Sequence, residues 1–372
     1  MKIALLYNQK PSITGEASTA SDIYAEWDHP QTIQAVADAL RERHEVVAID
    51  CNPSKLPELV ARLVSEKPDI CFNIVEGIGA PSREAQVPAI LEMLGLPYTA
   101  SDVLTLATTL DKARTKEILA FHQIATPDFW LVRCPSELAA LLAEGPSFPL
   151  IVKPLHEGSS KGIFERSVVG CAAELQRQVC EVTGCYGQPA LVETFLPGRE
   201  FTVALMGNGP SVVVLPIVEI LFDALPKDCK RIYSYEAKWL WDDPSKPVDV
   251  SRCPAQICPD LQAEIETLCR RAYLALRCRD WARIDVRLDA SGRPTIIEIN
   301  PLPGILPDPA EHSCLPLAAR AAGLTYPQLI NRVLDEALLR YELQPGAQSN
   351  GHKSSSAFPE PMLDGAESPR HP

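Results

Sequence analysis

No apolar run in this chain approaches the ~20 residues that cross a bilayer as a helix, which excludes a helical membrane span. No internal repeat recurs along it, so a stacked-repeat architecture is excluded as well. Positive charge is in short supply: 35 Lys and Arg stand against 48 Asp and Glu, a net charge of −13. Such a chain repels phosphate backbones and anionic headgroups wherever no local patch overrides the average, so neither nucleic acid nor a membrane is an expected partner. A secretory leader is missing too, because "MKIALLYN" reads as a first strand, and the expected location is the cytoplasm.

Cysteine is plentiful, with twelve residues, but they are scattered along the chain. The closest pairs, Cys180/Cys185 and Cys253/Cys258, have no second pair beside them, so reduced structural thiols are expected rather than a disulfide framework or a zinc site. What is present suits a globular protein: 46% hydrophobic residues, 22% charged and a mean hydropathy near zero. At 372 residues the chain exceeds what one core organises, and two or three domains are expected.

The opening alternates "KIALLY", a helix over "TIQAVADALRER", "EVVAID", a helix over "LPELVARLVSE" and "DICFNIV". That rhythm predicts an α/β domain with a parallel sheet over residues 1–101. "LTLATTLDKARTKEILAFHQI" predicts one amphipathic helix opening a second unit. Short β-branched runs follow, "FPLIVKP", "IFERSVVG", "PALVETFL", "EFTVALMG" and "SVVVLPIVEI", which predict α+β structure over 102–192 and 193–343. "WARIDVRLDASGRPTIIEINP" predicts a hairpin turning at Asp-Ala-Ser-Gly, after a long helix over "LQAEIETLCRRAYLALRC". The Pro-, Ser- and Gly-rich residues 344–372 have little to bury and are expected to form a disordered tail.

Three segments carry chemistry. On the hairpin, side chains two apart share a face, so Arg283 pairs with Asp285 and Glu298 with Asn300. If the faces coincide, three oxygen-bearing side chains converge beside one guanidinium, as Mg²⁺ requires; a solvated strand face is the alternative. Lys153 lies inside the apolar strand "PLIVKP", where an ammonium needs an anion. The following "HEGSSKGI" can turn at Gly158, Ser159, Ser160 and Gly162 and aim N–H groups at phosphates, or serve as an ordinary turn. Lys112 begins a helix, Lys238 sits in "YSYEAKWLW", and either also reads as a surface lysine. In "LVETFLPGREF", Glu193 ends a strand and Glu200 begins the next, leaving backbone between them to read a base edge.

In order, "LDKARTK", "PLIVKPLHEGSSKG", "LVETFLPGREFTV", "YSYEAKWL", "WARIDVRLD", "EINPLPG" and "HSCLPLAARAAGLTYPQLI" resemble the motifs of ATP-grasp enzymes, specifically those similar to the D-alanine–D-alanine ligases. The resemblance implies a Rossmann-like preATP-grasp domain followed by a two-part ATP-grasp domain. It implies that Lys112 and Lys153 bind ATP phosphates under Ser159, and that Glu193, the backbone at Leu196, and Glu200 hold adenine and ribose. Lys238 would reach the γ-phosphate, Asp285, Glu298 and Asn300 would ligate two Mg²⁺, with Mn²⁺ as a substitute, and Arg283 would stabilise the reacting acyl group. The implied product is a dipeptide made through an acyl phosphate for peptidoglycan synthesis, and the family habit is a homodimer.

The amino-acid end departs from the family pattern. A Gly-Gly-x-Ser opening is missing, leaving Glu26 as the candidate partner of the first substrate's ammonium, with His312 and Ser313 near the second substrate's carboxylate. "EGIGAPSREA" replaces the family's His-Gly-x-x-Gly-Glu-Asp-Gly, and Trp239 stands where an aromatic hydroxyl is usual. A ligase for another amino acid or small carboxylate therefore stays open, as does a non-catalytic nucleotide-binding regulator. From the sequence, Lys153→Met is expected to weaken ATP binding and even to stabilise the fold.

Overall fold

The computed structural model describes residues 1–11, 24–222, 232, 250–311 and 313–344; Lys238, Trp239, His312 and the tail from 345 lie outside the described residues. The chain begins β1 (Lys2–Tyr7), α1 (Pro30–Arg41), β2 (Glu45–Asp50), α2 (Leu56–Glu66), β3 (Ile70–Asn73) and α3 (Gln86–Met93). The strands form the expected parallel sheet, in order β2-β1-β3, with Ile3 opposite both Val46 and Ile70. Alternation along β1 splits its side chains: Ile3 and Leu5 pack with α1 and Phe72, whereas Ala4 and Leu6 meet Leu59, Leu63 and Cys71.

Where one helix is predicted over residues 104–124 there are two, α4 (Val103–Leu110) and α5 (Lys112–Phe121). Asp111 breaks the pattern by leaving the helical region, at φ −82° and ψ 97°, and its carboxylate accepts from the Arg114 N–H at 3.0 Å as the cap of α5. Next come β4 (Phe129–Val132), α6 (Leu138–Ala143), β5 (Leu150–Pro154), β6 (Val168–Val169), α7 (Ala172–Cys185) and β7 (Ala190–Thr194), giving an antiparallel sheet β4-β7-β5-β6. The strand predicted for "IFERSVVG" shrinks to the two residues of β6. A single turn, Glu165–Ser167, occupies the rest, closed by the Ser167 hydroxyl accepting from the Phe164 N–H.

The last part holds β8 (Glu200–Met206), β9 (Val213–Val214), β10 (Val218–Ile220), β11 (Ser251–Arg252), α8 (Pro259–Ala275), β12 (Trp281–Leu288), β13 (Pro294–Asn300), α9 (Cys314–Ala321) and α10 (Tyr326–Arg340). Its sheet runs β11-β10-β8-β12-β13 with β9 on β8, all antiparallel. The predicted hairpin is β12–β13, its turn held by Asp289 accepting from the N–H groups of Ser291 and Arg293. The cysteines among the described residues are free thiols, and no helix there is long and apolar enough to cross a membrane.

The two ends of the chain are stitched together. Ile3, Leu5 and Val36 share one core with Trp281 and with Leu329, Val333 and Ala337 of α10. Arg43 makes two bonds to the Asp335 carboxylate at 2.8 and 2.9 Å, and Asn331 donates to the Ala39 carbonyl at 2.7 Å. Asp280, fully enclosed, accepts from the Ala100 N–H, Asn208 and Arg340.

Candidate functional site

The hairpin brings its four polar residues together. Register places Arg283 opposite Asn300 and Asp285 opposite Glu298, so all four lie on one face, and a register shift follows Asp285. Arg283 bonds Asp285 at 3.1 and 3.0 Å, Thr202 donates to Asp285 at 2.9 Å from β8, and Asn300 does so at 3.3 Å. Burial alone would raise the Glu298 carboxyl, but Lys112, Lys153 and Arg283 overcome it and hold it down to about 2.

The break at Asp111 puts Lys112 in the first turn of α5, from where its ammonium stands 3.0 Å from Glu298 and donates to the Glu157 carbonyl. Lys153, on β5, lies 2.6 Å from one oxygen of Glu193, and Lys116 lies 2.7 Å from the other, off the line of a hydrogen bond. Lys116 also donates to the Thr126 hydroxyl at 2.9 Å. Glu193 and Lys116 are 1% and 2% exposed, so this triad is enclosed. Burial pushes Lys116 down to about 8 despite the neighbouring carboxylate. The anion that Lys153 needs is therefore Glu193, whose oxygens face lysines. Glu200 pairs with Arg287 at 2.9 Å, and that guanidinium lies against the rings of Phe195 and Phe222. Leu196 is buried in the connection between β7 and β8.

The loop after β5 turns as its composition predicts. Ser159, Ser160 and Gly162 have φ of 51°, 59° and 72°, and the Lys161 N–H reaches the Gly158 carbonyl at 2.9 Å. A Cβ on Gly162 would sit 2.5 Å from Cγ of Pro154, at the end of the strand that carries Lys153. Gly162→Ala is expected to cost about 2 kcal/mol, strain and overpacking together, seen as a fall of several degrees in Tm; an unchanged melting curve contradicts the packing described.

Glu26 reaches this loop, but not as a free carboxylate. Arg83 bonds both its oxygens at 2.9 Å, Lys161 stands 2.9 Å away, and the Gly158 N–H donates to it at 2.9 Å. Burial would raise this carboxyl, yet Arg83 and Lys161 keep it below the usual carboxylate range. Ser313, before α9, donates to the Gly304 carbonyl at 2.9 Å and so braces the Pro-rich loop after β13. The structure thus gathers Lys112, Lys153, Glu193, Arg283, Asp285, Glu298 and Asn300, with Glu26 and the glycine-serine loop against them. Sequence reasoning missed Arg83 and Lys161, which hold Glu26, and Lys116, which lies against Glu193. The available signal for Lys116 was its spacing, one helical turn after Lys112.

Comparison with known proteins follows the same lines. Residues 117–335 match the family model described as D-ala D-ala ligase C-terminus. The uncharacterized protein y4sG of Sinorhizobium fredii is 36% identical over 92% of this chain and 98% of its own. The D-alanine–D-alanine ligase of Moorella thermoacetica is 34% identical over 91% of this chain and 99% of its own, and that of Cupriavidus pinatubonensis 35% over 70% and 74%. Among solved structures, the Bacillus anthracis D-alanine–D-alanine ligase complexed with ATP superposes with a TM-score of 0.66 at 23% identity, covering 92% of this chain and 98% of that one. Its fold is the one described above.

Proposed function

The chain belongs to the D-alanine–D-alanine ligase family of ATP-grasp fold, and from that premise we propose that it is an ATP-dependent carboxylate–amine ligase forming a dipeptide through an acyl phosphate, with D-alanine as the first substrate to test. The observation that carries this reading is the Lys112 ammonium 3.0 Å from Glu298 on the Asp285–Glu298–Asn300 face, with the charge of Lys153 acting on the same carboxylate, a cationic cradle beside hard oxygen donors. Phosphoryl transfer between two anions needs that combination, because charge repulsion opposes it until the site neutralises the phosphate oxygens.

In this reading the nucleotide lies between the two antiparallel sheets, its phosphates on Lys112 and Lys153. Glu193 works as the fixed counter-ion that aims Lys116 and Lys153. The loop through Ser159 covers the phosphates and excludes water, which would otherwise hydrolyse an acyl phosphate. Arg283 stabilises charge on the reacting acyl group, and Asp285 holds that guanidinium in place. Adenine and ribose fall to the Leu196 backbone and Glu200, and Lys238 and His312 complete the roles drawn from the motifs.

The residues present fit Mg²⁺. Two carboxylates and an amide oxygen form a hard, all-oxygen set, of the kind that Mg²⁺ completes with phosphate oxygens and water. Asp285, Glu298 and Asn300 would leave positions in the shell for phosphate oxygens of the nucleotide. When bound, Mg²⁺ at Asp285, Glu298 and Asn300 supplies charge neutralisation at the transferring phosphoryl group.

The test is phosphate release from ATP and Mg²⁺ across pairs of D- and L-amino acids, with the dipeptide identified by mass. Phosphate and dipeptide from D-alanine alone support a role in peptidoglycan precursor synthesis. Turnover only with a different pair keeps the ligase and removes that role. A second reading, a ligase for another amino acid, is favoured by the "EGIGAPSREA" segment, whose Arg83 occupies both oxygens of the Glu26 carboxylate.

A further inference from the structure

The oxygen-bearing face of β12 does not stop at Asp285. On its β8 side Asp285 lies opposite Thr202, and Arg287 lies opposite Glu200. Each rung is closed by a side-chain hydrogen bond of 2.9 Å, from the Thr202 hydroxyl to Asp285 and from the Arg287 guanidinium to Glu200. Residues two apart on a strand share a face, so Arg283, Asp285 and Arg287 form one row, with Arg287 about 7 Å beyond Asp285 at the usual rise of a strand. The guanidinium is held by rings as well, its carbon 4.9 Å from the ring centre of Phe195 and 5.1 Å from that of Phe222. Arg287 and Glu200 are buried, at 5% and 8% exposure.

A buried ion pair is a poor device for stability, because desolvation of the two charges cancels most of what their attraction returns. An apolar pair of the same volume would serve the sheet as well. Its position gives this pair another use. Along the row come Arg283 at the acyl end, Asp285 at the phosphates, then Arg287 with Glu200, and then Phe195 and Leu196 of the connection whose backbone is assigned to the base. The pair therefore stands where the sugar of a nucleotide laid along this face falls. Glu200 offers that sugar an acceptor: its Oε2 takes the Arg287 bond, and its Oε1 accepts none from the described residues.

Resting on the nucleotide placement in the ligase reading above, we propose that Arg287 is a positioning residue for the sugar: held by two rings, it fixes the Glu200 carboxylate so that the second oxygen accepts from the ribose hydroxyls. The enzyme then prefers ribonucleotides to their deoxy counterparts through a side chain that does not itself touch the sugar. Arginine suits this task and lysine does not. The planar fork bonds a carboxylate at its edge while lying over aromatic rings, whereas an ammonium on a flexible stem keeps no such geometry.

The experiment measures Kd by calorimetry for ATP, 2′-deoxyATP and 3′-deoxyATP, each with Mg²⁺ and without an amino acid, so that it does not depend on which acid is activated. Wild type is expected to bind ATP on the order of tenfold more tightly than at least one deoxy analogue, the worth of a hydrogen bond to a charged group. In Arg287→Met, which keeps an apolar stem between the rings, that preference should fall to within about twofold, chiefly through weaker binding of ATP. Arg287→Lys should be intermediate. Glu200→Gln should lose most of the preference too, and adding Arg287→Met to it should weaken ATP binding no further, since one residue acts through the other. The double variant strands no charge, so it and Arg287→Lys carry the test if Arg287→Met does not fold. Full ribose preference in Arg287→Met or Arg287→Lys overturns the proposal, as do additive losses in the double variant or equal binding of the three nucleotides by wild type; in each case the ligase reading stands. If none of the three nucleotides binds, the ligase reading falls and the role of Arg287 with it.

Discussion

Glu298→Gln is expected to lower ATP turnover by on the order of a thousandfold while the protein still folds, since charge neutralisation at a transferring phosphoryl group supplies several kcal/mol. The substitution keeps shape and removes only the negative charge. That charge does two things in the structure: it faces Asp285 across the hairpin as a hard donor, and it meets the Lys112 ammonium at 3.0 Å. Neutral glutamine leaves Lys112 with the Glu157 carbonyl as its partner, so the lysine loses its aim as well as its counter-ion. The measurement is phosphate release under saturating ATP and Mg²⁺, with the circular dichroism spectrum as a control for fold. Turnover above a tenth of wild type removes Glu298 from the ligand set.

Lys153→Met has the second large effect, and the structure reverses the sign expected from sequence. Methionine in place of a lone buried lysine would relieve a desolvation cost. Lys153 is not alone: its loss strands Glu193 in an enclosed position with only Lys116, itself pushed down to about 8. Removing one partner of a buried pair costs about 3 kcal/mol or more, chiefly because the remaining charge is left uncompensated. A lower midpoint in urea is therefore expected, together with loss of ATP binding by calorimetry. Adding Glu193→Gln should recover much of the stability and none of the binding, since it removes the stranded charge but restores no cation. A Lys153→Met variant at least as stable as wild type would show that Glu193 does not depend on this lysine.

These two cases show which features the sequence discloses. Strand periodicity and the turn residues of the β12–β13 hairpin are local, so its four polar residues could be placed two and two on strand faces, while their meeting on one face waited for the register. The parallel sheet follows equally from alternating strand and helix patterns. The partners of charged side chains are set by tertiary packing instead. Nothing near Glu26 in sequence points to Arg83 or Lys161, which arrive from a turn after β3 and a loop after β5. Nothing in the sequence around Glu193 points to Lys116, which lies 2.7 Å from one of its oxygens. The helix division at Asp111 was visible in principle, because an aspartate before "KARTK" is a good cap, but the apolar spacing runs through it unbroken.

The seam between the first and last described elements has a consequence for how the fold comes apart. Ile3 and Leu5 of β1 share one apolar cluster with Leu329, Val333 and Ala337 of α10, through α1. Opening α10 therefore uncovers part of the core that backs the parallel sheet, and the two regions are expected to lose amide protection together rather than one after the other.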